Sequence, residues 1–419
     1  MRSLALGLAC LLAGCLAADS DGDAAEAVGE SDSALLGSEA NFRDPGTGAW
    51  QKVAPSVCGL DASKLTADIP NYAIFRYGKQ CFMKGSDNVA SMFSATKTLG
   101  GLMLGRAAYL TRNIPRTGPG TGPILPEDKA TDWLRSVNYN SNARLTHVMS
   151  MCADNASLDY GQKEFEYDTV GSVQINTLID VTKKCIKQIP SLGSDASDFV
   201  EAQIFDKLGM TKSYWLPVPL GIAAGWYANM SEMGRLGMLL LHDGWYNGER
   251  LIASEWVYRM SHPAFEDANT SYGHLTWLNH RGNAHGVGGN ILNPPSENLY
   301  PNGDPCAPAA FWPAYPHGIS SATSCLNAVP GGTCSQLYDV GVFSAQGAGG
   351  QYIVMHPGLD LVIVAKDYNV ENGPILLWNA VRPALVAMDP VYKDKSMQEF
   401  CDAYGAGAYA PDLPMARHP

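Results

Sequence analysis

Apolar positions in this chain fall into two kinds of run, and their order predicts the architecture. Near the amino end, Tyr72-Ala73-Ile74-Phe75-Arg76-Tyr77 and Gln80-Cys81-Phe82-Met83 flank Gly78-Lys79, the pattern of a β-hairpin. Near the carboxyl end, residues 340–345, 351–355 and 361–366 are short β-type runs, the last two joined at His356-Pro357-Gly358. Between these ends the apolar spacing is helical over 99–110, 145–156, 174–189 and 197–208. Asn229-Met230-Ser231-Glu232 has capping-box spacing and opens a helix over 233–242. A further short strand is predicted at 275–278, and a terminal helix over 375–388, kinked or broken near Pro383. Two early strands, a helical middle and three late strands predict an α/β protein of the α+β type. Both chain ends build one antiparallel sheet, flanked by helices, with a helical subdomain.

Three stretches do not fit that plan. Arg2 and the apolar run 4–12 read as an export signal, because the run is far shorter than the ~20 residues a membrane span needs. Leu12-Ala13-Gly14-Cys15 resembles a bacterial lipobox, in which Cys15 would carry the lipid; ordinary cleavage near Ala17 is the alternative. Residues 16–45 carry many acids among Ala, Gly and Ser and read as a flexible tether to a folded domain over 46–415. Within that domain, the Gly/Pro/Asn-rich segment 281–337 holds three cysteines and reads as a disulfide-stapled insertion. The expected location is the cell envelope, as a lipoprotein held to the membrane only through Cys15, or else secreted.

Composition narrows the partners. A net charge of −12 argues against nucleic acid, which needs a basic face. Of ten cysteines, setting aside Cys10 and Cys15 leaves eight, enough for up to four disulfides in an exported chain. Cys58 could staple to Cys81, and Cys152 and Cys185 are available to bridge two of the helices. No Cys-x-x-Cys or His-Glu-x-x-His spacing occurs, so neither a metal nor a cofactor is expected.

The chemistry centres on Ser94-Ala95-Thr96-Lys97, which leads into the 99–110 helix. A helix beginning near Ser94 puts Lys97 one turn later on the same face, where amine and hydroxyl can meet. A neutral Lys amine can take the hydroxyl proton and so make Ser94 a nucleophile. Holding the amine neutral at pH 7 costs roughly 4–5 kcal/mol, which burial at a helix start has the right sign to supply.

Several further segments stand in a telling order. They are Phe165-Glu166-Tyr167-Asp168-Thr169-Val170-Gly171, Leu208-Gly209-Met210, Ala224-Gly225-Trp226-Tyr227-Ala228, Ser271-Tyr272-Gly273 and Ser344-Ala345-Gln346-Gly347-Ala348-Gly349-Gly350-Gln351. With the Ser94 tetrad, this series resembles the serine β-lactamase and penicillin-binding superfamily over residues 72–385. It is most similar to the class C-like branch that holds family VIII carboxylesterases and 6-aminohexanoate-oligomer amidases. The resemblance implies a β-lactamase-like fold and a serine hydrolase acting on a small-molecule ester or amide. It implies Ser94 as nucleophile, with Lys97 and Tyr167 sharing acid and base work. A Tyr167 phenol beside a charged Lys97 would have its pKa lowered. The backbone N–H groups of Ser94 and Ala348 would form the oxyanion hole. Thr169, Trp226, Tyr227, Tyr272, Gly347, Gly349 and Gly350 would line the substrate site.

Two departures bear on substrate. Thr169 stands where Asn is commonest, and Ala345-Gln346-Gly347 replaces the cationic Lys-Thr-Gly. A β-lactam or D-Ala-D-Ala carboxylate needs that cation or a substitute, so neutral residues there favour esters or amides without the carboxylate. A D-Ala peptidase or β-lactamase is the alternative enzyme. A catalytically silent binding module is the alternative of another class.

Overall fold

A computed structural model describes residues 44–134, 141–153, 160–167, 175–265, 268–269, 272–278, 343–356, 360–370 and 373–385. The export signal with Cys15, the tether as far as residue 43, Thr169 and the insertion at 281–337 lie outside the described residues. In chain order the strands are β1 (Tyr72–Arg76), β2 (Lys79–Lys84), β3 (Ala90–Ser91), β4 (Cys152–Ala153) and β5 (Tyr160–Phe165). They continue with β6 (Tyr214–Trp215), β7 (Trp226–Ala228), β8 (Trp245–Tyr246), β9 (Glu249–Arg250) and β10 (Trp277–Leu278). The last three are β11 (Phe343–Gly347), β12 (Gln351–His356) and β13 (Leu361–Ala365). The helices used below are α1 (Thr96–Thr111), α2 (Leu178–Ile186), α3 (Gly221–Ala224), α4 (Met230–Leu241) and α5 (Gly373–Val381).

Six strands form the central antiparallel sheet in the order β10-β11-β12-β13-β1-β2, so the early hairpin is stitched to the late strands through β13 and β1. The strands alternate between two cores. Ala73, Phe75, Ile353, Met355, Val362 and Val364 face the larger core, which also holds α1 and α4. Tyr72, Ile74, Val354 and Ile363 face a smaller one under Leu377, Trp378 and Val381 of α5. Being apolar on both faces suits strands covered by helices on both sides. Helix α4 lies close on the sheet because a Cβ at Gly234 would meet the Phe75 ring at 2.5 Å and one at Gly237 would meet Val362 at 2.6 Å. Helix α1 is buried almost all round, as a central helix with apolar residues on every side should be.

Several local expectations shift. Tyr77 (φ 55) and Gly78 (φ 69) make the hairpin turn, one residue earlier than Gly78-Lys79, because a two-residue turn of this hand needs both φ values positive. The helix expected over 145–156 stops at Met149, since Met151 takes φ 56 and sends the chain into β4, which pairs with the unforeseen β5. Asn229 caps α4 by accepting from Glu232 N at 2.9 Å. The capping box stays half made: Glu232 turns away to accept from Lys212 N and Ser213 Oγ, each at 2.7 Å. The last helix ends at Val381, and Pro383 lies in the short 3-10 turn Arg382–Ala384 that follows.

Cys58 and Cys81 form a disulfide that ties the start of the domain to β2. Cys152 and Cys185 do not bridge. Cys152 lies on β4, whereas Cys185 packs on α1 with its sulfur 3.3 Å from Thr111 Oγ1; both are buried thiols. The loop closed by the Cys58–Cys81 bond spans 23 residues, for which chain entropy gives about 3 kcal/mol. The Cys58→Ala/Cys81→Ala variant is therefore expected to melt several degrees lower by calorimetry.

Candidate active site

Ser94 sits where β3 turns sharply into α1. Strand β3 pairs with β7 (Ala90↔Ala228, Ser91↔Tyr227), and Met92 N donates to Trp226 O at 2.8 Å. Phe93 then adopts φ 45, a left-handed conformation that costs energy for a bulky residue and persists only where the surroundings hold it. Thr96 is the clamp. Its buried hydroxyl donates to Phe93 O at 2.6 Å and accepts from Trp226 N at 3.0 Å. The result lifts Ser94, half-buried, at the head of the helix beside a 42% exposed Phe93.

One turn on, Lys97 Nζ lies 2.9 Å from Ser94 Oγ and donates to Ala223 O at 3.0 Å. Lys97 is 2% exposed, and burial pushes its ammonium from 10.5 down to about 7. The amine therefore exists in quantity at neutral pH, the state a general base needs. The ring of Tyr167 lies 5.0 Å from Lys97 Nζ. Its phenol oxygen is buried, and a hydrogen bond with the Ser94 hydroxyl favours its ionisation. Burial outweighs that pull and raises the phenol to about 12. The expected lowering by Lys97 thus has the wrong sign, for a physical reason: the phenol is so deeply buried that desolvation of the phenolate dominates its ionisation. Near neutral pH the pair is a protonated phenol beside an amine that titrates close to pH 7.

The third wall is the end of β11. A Cβ at Gly347 would fall 2.1 Å from Met92 O and 3.2 Å from Ala95 N, so the missing side chain is what lets the strand abut the Ser94 turn. Ala348, the next residue after that contact, is exposed. Gly347 accordingly packs against the Ser94 turn. Gly350 (φ 84) is also taken up by protein, since its Cβ would lie 2.0 Å from the Tyr368 backbone. Only Gly349 of the three glycines is left with ordinary contacts, 3.6 Å from Gln351 and the Phe93 ring. Ala345, on the same side of the strand as Gly347, is a buried methyl paired with Ile353, and no residue of β11 is cationic.

The aromatic positions separate by burial. Trp226 is fully buried and its Nε1 donates to Ser213 Oγ at 3.4 Å; alternation along β7 turns it inward, so it is core and not pocket wall. Tyr227, pointing the other way, is half-buried and stacks on Tyr214 at 4.7 Å. Tyr272 is also core: it packs edge-on against Tyr167 at 6.0 Å, in a cluster with Phe165 and Trp277 that fixes the phenol from behind. Three participants escaped the sequence reading. Thr96 lies within the tetrad and had a visible place. The Ala223 carbonyl is a backbone group with no sequence signature, and Asn176, which accepts from the N–H of the same residue, is one polar residue among many.

No protein-family model and no curated protein matches the chain. Among solved structures it is similar to a β-lactamase from Mycobacterium bovis at 12% identity, over 75% of this chain and 93% of that one, with a TM-score of 0.47. It is similar to a β-lactamase/D-alanine carboxypeptidase from Pseudomonas syringae at 12% identity, over 84% and 99%, with a TM-score of 0.47. It is also similar to EstA from Arthrobacter nitroguajacolicus at 12% identity, over 75% and 91%, with a TM-score of 0.45. Likeness at this level is one of general arrangement, and the chemistry has to be read from the site.

Proposed function

We propose that this protein is a serine hydrolase that cleaves small neutral esters or amides through an acyl-Ser94 intermediate. The observation that carries the reading is the buried Lys97 amine, 2.9 Å from Ser94 Oγ and lowered to about 7. In the first half-reaction the Lys97 lone pair takes the Ser94 proton as Oγ attacks the substrate carbonyl carbon. The N–H groups of Ser94 and Ala348 hold the resulting oxyanion. Collapse expels the alcohol or amine, which receives its proton from the Tyr167 phenol, and Lys97 returns one to Tyr167. Water then attacks the acyl carbon, gives its proton to the same pair, and the acid leaves with Ser94 restored. The protonated Tyr167 hydroxyl, buried and set against Ser94, supports its place as the donor to the leaving group.

Substrate class follows from β11. Ala345 gives a substrate carboxylate no cation to pair with, which favours esters and amides over β-lactams and D-Ala peptides. Location follows from two features: the lipobox-like Cys15 and the Cys58–Cys81 disulfide both support an exported protein, tethered to the cell envelope through a lipid.

The test is covalent labelling by a fluorophosphonate probe, read by intact mass and peptide mapping, beside turnover of p-nitrophenyl butyrate and nitrocefin. One adduct on Ser94 with ester turnover and little nitrocefin turnover is the expected result. Absence of an adduct on folded protein would leave a silent binding module, and rapid nitrocefin turnover would restore the β-lactamase reading.

A further inference from the structure

We infer that Asn176 is the positioning residue for Lys97, acting through the Ala223 peptide. This rests on the acyl-serine reading and deepens it. Asn176 lies in the 3-10 turn Ile175–Thr177 that leads into α2. Its amide grips the start of α3 twice: Nδ2 donates to Leu220 O at 3.3 Å, and Oδ1 accepts from Ala223 N at 3.0 Å. A donor on one side and an acceptor on the other fix which way the amide faces. Gly221 (φ 61) makes room for it, since a Cβ there would lie 2.2 Å from Asn176 Oδ1.

The other end of the same residue, Ala223 O, accepts from Lys97 Nζ at 3.0 Å. Asn176 and Lys97 therefore hold Ala223 from its two sides. A neutral amine has two N–H groups and one lone pair. Spending one N–H on a fixed carbonyl stops the amine from spinning, and so lets the lone pair address Ser94 Oγ at 2.9 Å. If Ala223 O drifts, the amine stays near the serine but loses its aim. The rest of the turn has its own supports, with Gly221 O accepting from Trp215 Nε1 at 2.9 Å and from Gly225 N at 3.0 Å. Removing the Asn176 side chain thus frees Ala223 without unmaking α3.

The titratable group facing Lys97 is the Tyr167 phenol, and among the described residues no carboxylate forms an ion pair with the amine. The pH profile can therefore be read at Lys97. For Asn176→Ala, kcat on p-nitrophenyl butyrate is expected to fall about 10–100-fold, the scale of a small misplacement, with KM within about threefold. The rising acid limb of kcat/KM should move to lower pH, because a carbonyl that favours the ammonium is no longer held in place. Asn176→Asp keeps an acceptor for Ala223 N and adds a negative charge. Its limb should move to higher pH, with more of the plateau kcat kept than in Asn176→Ala. An Asn176→Ala enzyme with wild-type kcat and limb overturns the inference. So does a loss of kcat that merely tracks the folded fraction while both variants keep the wild-type limb. If wild-type Ser94 takes no probe, the acyl-serine reading fails and the inference with it; if Ser94 is labelled, the variants alone decide.

Discussion

Replacing Ser94 with alanine is expected to lower kcat for ester hydrolysis by at least about 10⁴-fold, with no probe adduct and a melting temperature within a degree or two of wild type. The size follows from the chemistry: without Oγ there is no acyl intermediate, and what remains is whatever the oxyanion donors and binding do for a bound water. The small stability effect follows from the position. Ser94 is half-buried, and the clamp on its turn is made by Thr96, Trp226 and Met92, none of which uses Ser94 Oγ. Lys97 keeps its bond to Ala223 O in the variant. Kinetics with a chain-length series of p-nitrophenyl esters, intact mass and calorimetry on the same preparation check all three. An Ser94→Ala protein that retains a tenth of its activity would move the nucleophile elsewhere.

Much of this site was legible because its core is local. Ser94 and Lys97 are three residues apart, and helical geometry alone brings them together once α1 begins where it does. The apolar sheet was legible for a similar reason, since β11, β12 and β13 are short consecutive runs that pair with their sequence neighbours. What escaped was set by long-range packing. The sign of the Tyr167 shift depends on how deeply the phenol is buried, which the spacing does not encode. Trp226 and Tyr227 are adjacent aromatics with opposite fates, decided by the register of β7 against β3 and β6. The same holds for the glycines after β11: Gly347 and Gly350 are spent on Met92 and Tyr368, contacts made by chain segments far away in sequence. Met151 carries no turn signature, yet its positive φ ends a helix that the apolar pattern would have continued.

The Lys97→Met variant should show loss of function and gain of stability together. Met fills similar volume without a charge, so the base is gone and kcat should fall about 10²–10⁴-fold, the usual worth of a positioned proton acceptor. The acid limb, centred near pH 7 in the wild type because activity rises as the amine loses its proton, should vanish from the residual profile. Stability moves the other way. An amine that titrates at 10.5 unfolded and about 7 folded binds more protons in the unfolded chain between those values, so wild-type stability rises with pH across that window. Well below pH 7 the full penalty applies, about 5 kcal/mol at 1.36 kcal/mol per pH unit, and most of it remains at pH 7. Leaving Ala223 O without its donor returns about 1–3 kcal/mol of that. The variant should therefore melt a few degrees above wild type at pH 7, and the gap should close and then reverse as pH approaches 10. Melting curves of both proteins at a series of pH values read this directly. A gap that stays constant with pH, or a variant that melts lower at pH 7, would mean that Lys97 is held as a cation, and the neutral-amine mechanism would fall with that finding.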